Sequence, residues 1–99
     1  MRPIVLVQLD KTRPALVLTR EIVLNHLNHI TVAPITSTIR GLATEVNLDT
    51  RNGLDHPCVA SCDNITTIPK AAIIRQIGLL LDDQEDGLSL AIANAFDLV

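Results

Sequence analysis

Aromatic side chains are nearly missing from this 99-residue chain, which has no tryptophan, no tyrosine and one phenylalanine, Phe96. Its core must therefore be aliphatic, filled by Ile, Leu, Val and Ala, and a plain peptide-binding groove, which relies on aromatic walls, is disfavoured. Long hydrophobic runs are missing too. None reaches the roughly 18 residues that a membrane helix requires. The N-terminal stretch PIVLVQL is shorter than a signal-peptide core, with no small-residue cleavage site behind it. The expected setting is the cytoplasm, with no membrane partner. Cysteine is limited to Cys58 and Cys62 in PCVASC. On a strand they would stand about 13 Å apart, at roughly 3.3 Å per residue, whereas a disulfide needs Cα atoms within about 7 Å. Both are expected as free thiols, small core residues sharing one face with Ala60.

The chain also lacks the common signatures of general chemistry. There is no glycine-rich phosphate loop and no readable Ser–His–Asp arrangement. No carboxylate cluster is spaced to hold magnesium. His26 and His29 form an H-x-x-H pair, but with Cys58 and Cys62 they match no standard zinc spacing. They read as polar surface residues, and His56, between Asp55 and Pro57, as a loop residue. No cofactor or metal is expected. Basic excess is absent as well, since the formal net charge is −3. The distribution matters more than the total. Five acids and no bases lie beyond residue 81, leaving eight bases against six acids in residues 1–81. That balance permits a local site for a polyanion without suggesting a strong non-specific one.

What is present is a series of short aliphatic runs, enough for one domain over residues 1–99. PIVLVQL (3–9) and PALVLT (14–19) are separated by four residues, as in a hairpin. REIVLNHLNH suits a short helix or an irregular turn. ITVAPI reads as a buried strand in which Pro34 implies an edge or a bulge. GLATEVNL alternates, with Leu42, Thr44, Val46 and Leu48 on one side. PCVASC, ITTI and RQIGLLL supply further strands, and Pro69 can open a single helical turn. The last segment is a helix, capped by Asp83 and carrying Leu88, Ala91, Ile92, Ala95 and Phe96 at helical spacing. The fold class expected is mainly β with a C-terminal helix, a small, strongly bent barrel closed by that helix.

One cluster could carry chemistry. Lys11 and Arg13 precede the second strand, and Thr36, Ser37, Thr38 and Arg40 follow ITVAPI. Brought together, they would make a phosphate site, because arginine presents a planar fork of donors and a hydroxyl adds another. Kept apart, they are solvated turns. The residues alone leave both readings open.

The order of three stretches narrows the choice. Arg13 and Pro14 open the second strand; Pro34, Ile35 and Thr36 end the third; Asp63 to Ile68 form a turn reading DNITTI. In this order and spacing, from about residue 4 to residue 96, the chain resembles the MazF/PemK family of bacterial toxins. Members are homodimers of a small SH3-like barrel that cut single-stranded RNA and are neutralised by a cognate antitoxin. The resemblance implies Arg13 and Thr36 as the catalytic pair, with Lys11, Ser37, Thr38 and Arg40 binding RNA. Messenger RNA is the first candidate substrate, with tRNA and rRNA behind it. It also implies cleavage by the RNA's own 2′-hydroxyl, leaving 2′,3′-cyclic phosphate and 5′-hydroxyl ends, and places the Asp63–Ile68 turn near the interface between two copies. Many members carry a long glycine-bearing loop before the Arg-Pro, whereas here only Asp10, Lys11 and Thr12 intervene; the cut-site sequence therefore does not carry over.

The physical chemistry agrees with those roles. Charge builds on the phosphate oxygens during cleavage, and a fixed guanidinium and hydroxyl stabilise it. Arginine is a poor base, with a pKa above about 12, so Arg13 is assigned to charge stabilisation and Thr36 to holding the scissile phosphate. The alternative is a gyrase-binding toxin of the CcdB type on the same fold. That reading calls for a helix tip commonly ending in Trp, while this chain ends Phe96, Asp97, Leu98, Val99.

Overall fold

The computed structural model describes residues 1–98. Seven antiparallel strands form one sheet: β1 (Pro3–Gln8), β2 (Thr12–Val17), β3 (His29–Thr36), β4 (Glu45–Leu48), β5 (Cys58–Ser61), β6 (Thr66–Pro69) and β7 (Ile73–Leu79). A single helix, α1 (Glu85–Ala95), follows them. The path runs β4-β5-β3-β2-β1-β7, with β6 branching from β3. The sheet is open, so the expected fold class holds without closure of the strand ladder.

Strand alternation divides the aliphatic residues between two faces. Ile4, Leu16, Ala33 and Ile35 face α1, where Leu88 and Ala91 are buried with them. Val5, Ala15, Val17 and Val32 take the opposite face with Ile30 and Ile68. That second face is covered by Leu24 of the 3-10 turn Glu21–His26 and by Ala72 and Ile73. Cys58 and Cys62 lie with Ala60 in the helix-side core as free, buried thiols.

Pro34 sits neither at an edge nor in a bulge. β3 pairs with β2 along one side, while on the other side His29–Val32 pair with β6 and Ile35–Thr36 with β5. Thr31 faces β2, since Leu18 N donates to its carbonyl at 2.8 Å. Three residues on, alternation turns Pro34 to the other side, in the gap between β6 and β5. A missing N–H there breaks no ladder bond.

Three further expectations are corrected. β4 starts at Glu45, not near Leu42, because Glu45 Oε1 accepts the backbone N–H groups of Arg40 (3.2 Å) and Leu42 (3.1 Å) and curls the chain at Gly41 (φ +71°). Leu42 is consequently exposed. Asp83 does not cap α1; it lies in the 3-10 turn Asp82–Gln84 and faces Arg51 at 3.7 Å, and Gln84 occupies the cap position. Phe96 falls just past the helix and is 56% exposed.

The open ends of the sheet are tied by side chains. Asn52, in the turn after β4, is fully buried. Its Nδ2 donates to the Leu79 carbonyl at the end of β7 (2.9 Å) and to Gln84 Oε1 (2.7 Å), while Gln84 Nε2 donates back to Asn52 Oδ1 (3.2 Å). Two glycines let the backbones meet here. A Cβ on Gly78 would stand 1.8 Å from the Asn52 carbonyl oxygen, and one on Gly53 2.0 Å from that of Ile77.

Candidate active site

The start of β2 and the end of β3 lie side by side. Their register pairs Ala15 with Pro34. The ladder ends there, and Arg13 and Thr36 each lie two residues beyond it, on the two strand ends that leave it. Antiparallel pairing thus brings the strand ends that carry these two residues to the same end of the sheet.

Both line an open cleft of about 480 Å³, together with Thr38 and Arg40 from the loop after β3. Four of the six expected site residues therefore meet. Lys11 and Ser37 do not line this cleft: Lys11 is exposed in the β1–β2 turn, and Ser37 is exposed just beyond β3.

Arg13 is partly buried, with its Nη2 3.5 Å from Asp10 Oδ1. That pair is too long and too exposed to hold the guanidinium strongly. Its Nε is buried and has no hydrogen-bond partner among the described residues. An unpaired buried donor on a cation is costly, and an anion in the cleft would relieve that cost. Thr36 Oγ1 accepts the Thr38 N–H at 3.1 Å. This bond fixes the oxygen and leaves the hydroxyl hydrogen free to donate to a bound phosphate.

The rest of the lining was not singled out as site residues from the sequence. Leu42 joins the cleft from the loop before β4, Glu45 from the start of β4, Ser61 from the end of β5, and Asp63 and Asn64 from the turn after β5. In the sequence Glu45 falls on the side of GLATEVNL opposite Leu42, Thr44, Val46 and Leu48, and the family resemblance places the Asp63–Ile68 turn near the interface between two copies. A signal for the second group exists: SCDN follows an aliphatic strand, as TST follows VAPI. Glu45 has no such signal, because its role rests on the turn its carboxylate folds.

The histidines and cysteines lie apart from this cleft. His26 and His29 are exposed around the start of β3, and His56 is hydrogen-bonded to Asp55 in an exposed loop. Burial raises the thiol pKa of Cys58 and Cys62, with the Asp55 and Asp63 carboxylates adding to the shift. Such thiols stay protonated and unreactive at neutral pH. Among the described residues, no group of three or more His, Cys, Asp and Glu side chains could hold a metal ion, and no helix is long and apolar enough to cross a membrane.

Known proteins are similar to this chain in sequence and fold. Endoribonuclease MazF3 of Mycobacterium tuberculosis is 62% identical over 98 residues, covering 99% of this chain and 95% of that protein. The solved structure described as Mycobacterium tuberculosis toxin MazF-mt6 superposes with a TM-score of 0.95 at 61% identity, covering 97% of each chain. An endoribonuclease in complex with its cognate antitoxin, from a mycobacterial species, shares the fold at a TM-score of 0.86 and 21% identity, over 98% of this chain and 93% of that one. The family described as PemK-like, MazF-like toxin of type II toxin-antitoxin system matches residues 3–96. With that match over nearly the whole chain, and with a relative of 62% identity, this chain belongs to the PemK/MazF toxin family.

Proposed function

We propose that this chain is a toxin endoribonuclease that cuts single-stranded RNA at a short specific sequence and needs no metal. The observation that carries the reading is the cleft at the paired ends of β2 and β3, which gathers Arg13, Thr36 and Arg40. The endoribonuclease names of the relatives support it and favour it over a gyrase-binding toxin of the same fold.

In the proposed reaction the ribose 2′-oxygen attacks the adjacent phosphorus and loses its proton. A P–O2′ bond forms, the P–O5′ bond breaks, and the departing 5′-oxygen takes up a proton. The products are a 2′,3′-cyclic phosphate and a 5′-hydroxyl. Arg13 stabilises the charge on the phosphate oxygens and Thr36 donates to one of them. The nucleophile is already held beside the phosphate, so proximity comes from the substrate itself. Arg40 and Thr38 hold the flanking backbone, with Lys11 and Ser37 contributing from outside the cleft. The protein acts as a homodimer in the cytoplasm and is silenced by an antitoxin segment, an acidic and apolar peptide that covers Arg13 and Arg40 and folds as it binds.

An RNA oligonucleotide with one 2′-deoxy sugar on the 5′ side of the cut tests the chemistry. It should bind nearly as well as its all-ribose twin and resist cleavage, while the twin is cut in EDTA. Equal cleavage of both strands would show that water attacks. Co-expression with the antitoxin should restore growth.

A further inference from the structure

The cleft has two chemically opposite parts. Arg13, Thr36, Thr38 and Arg40 form the donor part; Glu45, Ser61, Asp63 and Asn64 form the other polar part. A site for phosphate alone is poorly served by two carboxylates, which repel the anion it must hold.

Nor do these carboxylates neutralise the arginines. Among the described residues, neither Glu45 nor Asp63 forms an ion pair with Arg13 or Arg40. Each is held by other donors. Glu45 accepts the Arg40 and Leu42 backbone N–H groups, and Asp63 Oδ2 accepts the Thr44 hydroxyl at 2.6 Å. Asn64 is turned in the same sense, because its Nδ2 donates to Ser61 Oγ at 2.9 Å. These bonds engage the Thr44 hydroxyl and one Asn64 N–H and leave carboxylate and amide oxygens uncovered. Asp63 Oδ1 and Asn64 Oδ1 have no hydrogen-bond partner among the described residues. The result is a group of acceptor oxygens in the same cleft as two cations that they do not neutralise.

RNA brings suitable donors mainly on its bases. Cytosine, adenine and guanine each carry an exocyclic amine, and a carboxylate accepts well from such a group. Uracil offers two carbonyl oxygens flanking a single N–H, and those carbonyls would face the carboxylates unfavourably. Pro34 and Leu42 add apolar surface to the lining against which a ring can rest. We infer that Asp63, supported by Asn64 and Glu45, is a specificity-determining residue that selects a base bearing an exocyclic amine, against uracil, at a nucleotide flanking the scissile phosphate. The inference rests on the RNA-cutting reading above and deepens it.

The experiment compares kcat/KM on oligonucleotides that differ at one nucleotide flanking the mapped cut. The base found there is replaced by uracil, and separately by its analogue lacking only the exocyclic amine. In the unmodified protein either change should lower kcat/KM about tenfold or more, the size of one good base-edge contact. Asp63→Asn puts an amide N–H where a carboxylate oxygen stood. It should bring the ratio of amine-bearing to uracil strands close to unity or invert it, by cutting the uracil strand faster than the unmodified protein does. Glu45→Gln, checked like Asp63→Asn for an unchanged thermal melt, should narrow the same ratio. Loss of discrimination in either folded variant supports the assignment. It is overturned if the unmodified protein ignores the amine at every flanking nucleotide, or if both variants discriminate as before. Failure of the unmodified protein to cut any RNA would overturn the nuclease reading, and this inference with it.

Discussion

Arg13 and Thr36 line the same cleft, yet they hold their places in different ways. Thr36 is fixed by the Thr38 N–H at its oxygen. Arg13 has one long contact to Asp10 and a buried Nε without a partner among the described residues. Removing a preorganised donor aimed at a transition-state oxygen costs about 10²–10³ in rate. Arg13→Ala is therefore expected to lower the single-turnover rate by that order at saturating enzyme, with an unchanged thermal melt. Thr36→Val, which keeps the shape and loses the hydroxyl, should lower it by a smaller factor. Full activity in both folded variants would remove the assignment. Arg40→Ala should instead weaken binding and reduce the salt slope of affinity by about 0.7, the value for one phosphate contact on a single strand. Lys11→Ala, outside the cleft lining, should change that slope less. Cys58 and Cys62 make a separate prediction. Their raised pKa and burial should leave both thiols unreactive toward a thiol reagent at pH 7 until the protein is unfolded.

The Asn52–Gln84 amide pair joins three elements: the turn after β4, the end of β7 and the entry to α1. Asn52→Ala would strip the Leu79 carbonyl, Gln84 Nε2 and the Asp49 backbone N–H of their Asn52 partner, while Gln84 Oε1 keeps the Leu81 N–H. At about 1–3 kcal/mol for each buried polar group left unpaired, a loss of roughly 2–4 kcal/mol is expected. A urea melt would show it as a lower midpoint at unchanged slope. Gly78→Ala should destabilise as severely for a steric reason, since its Cβ would meet backbone that cannot rotate away. The same turn carries a pH-sensitive group. The Arg51 backbone N–H, then its guanidinium, lower the Asp49 pKa from its usual 3.8. A folded pKa below the unfolded one contributes stability above the unfolded value and loses it as pH falls through the folded one. Asp49→Asn should accordingly flatten the stability profile below about pH 4 relative to the unmodified protein. An equally steep acid limb in both would exclude that cause.

At the scale of the molecule, the sheet and helix bury their aliphatic residues on two faces but leave large apolar side chains outside. Ile22 is 81% exposed and Ile74 51%. For a chain this small, uncovered apolar surface is a reason to associate, and the proposed homodimer would cover part of it. Light scattering at micromolar concentration should report twice the 10.7 kDa chain mass; a monomer there would count against the dimer.

The separation between local and non-local information is visible in particular residues. Alternation in PIVLVQL, PALVLT and ITVAPI, turn signals between them and helical spacing from Leu88 to Ala95 are local patterns, and they determined the fold class and the family resemblance. Composition determined that the core is aliphatic and that Cys58 and Cys62 belong to it. Only the tertiary structure decided that Arg13 and Thr36 line one cleft, because that depends on which strands pair. It alone excluded Lys11 and Ser37 from that cleft and brought in Glu45, Asp63 and Asn64. It also replaced Asp83 with Gln84 at the cap, since Gln84 is held by Asn52, thirty-two residues away in sequence. The physical reason is common to all three. Side-chain periodicity is a property of neighbouring residues, whereas a turn held by a distant donor or a register set by a distant strand has no imprint within a short window of sequence.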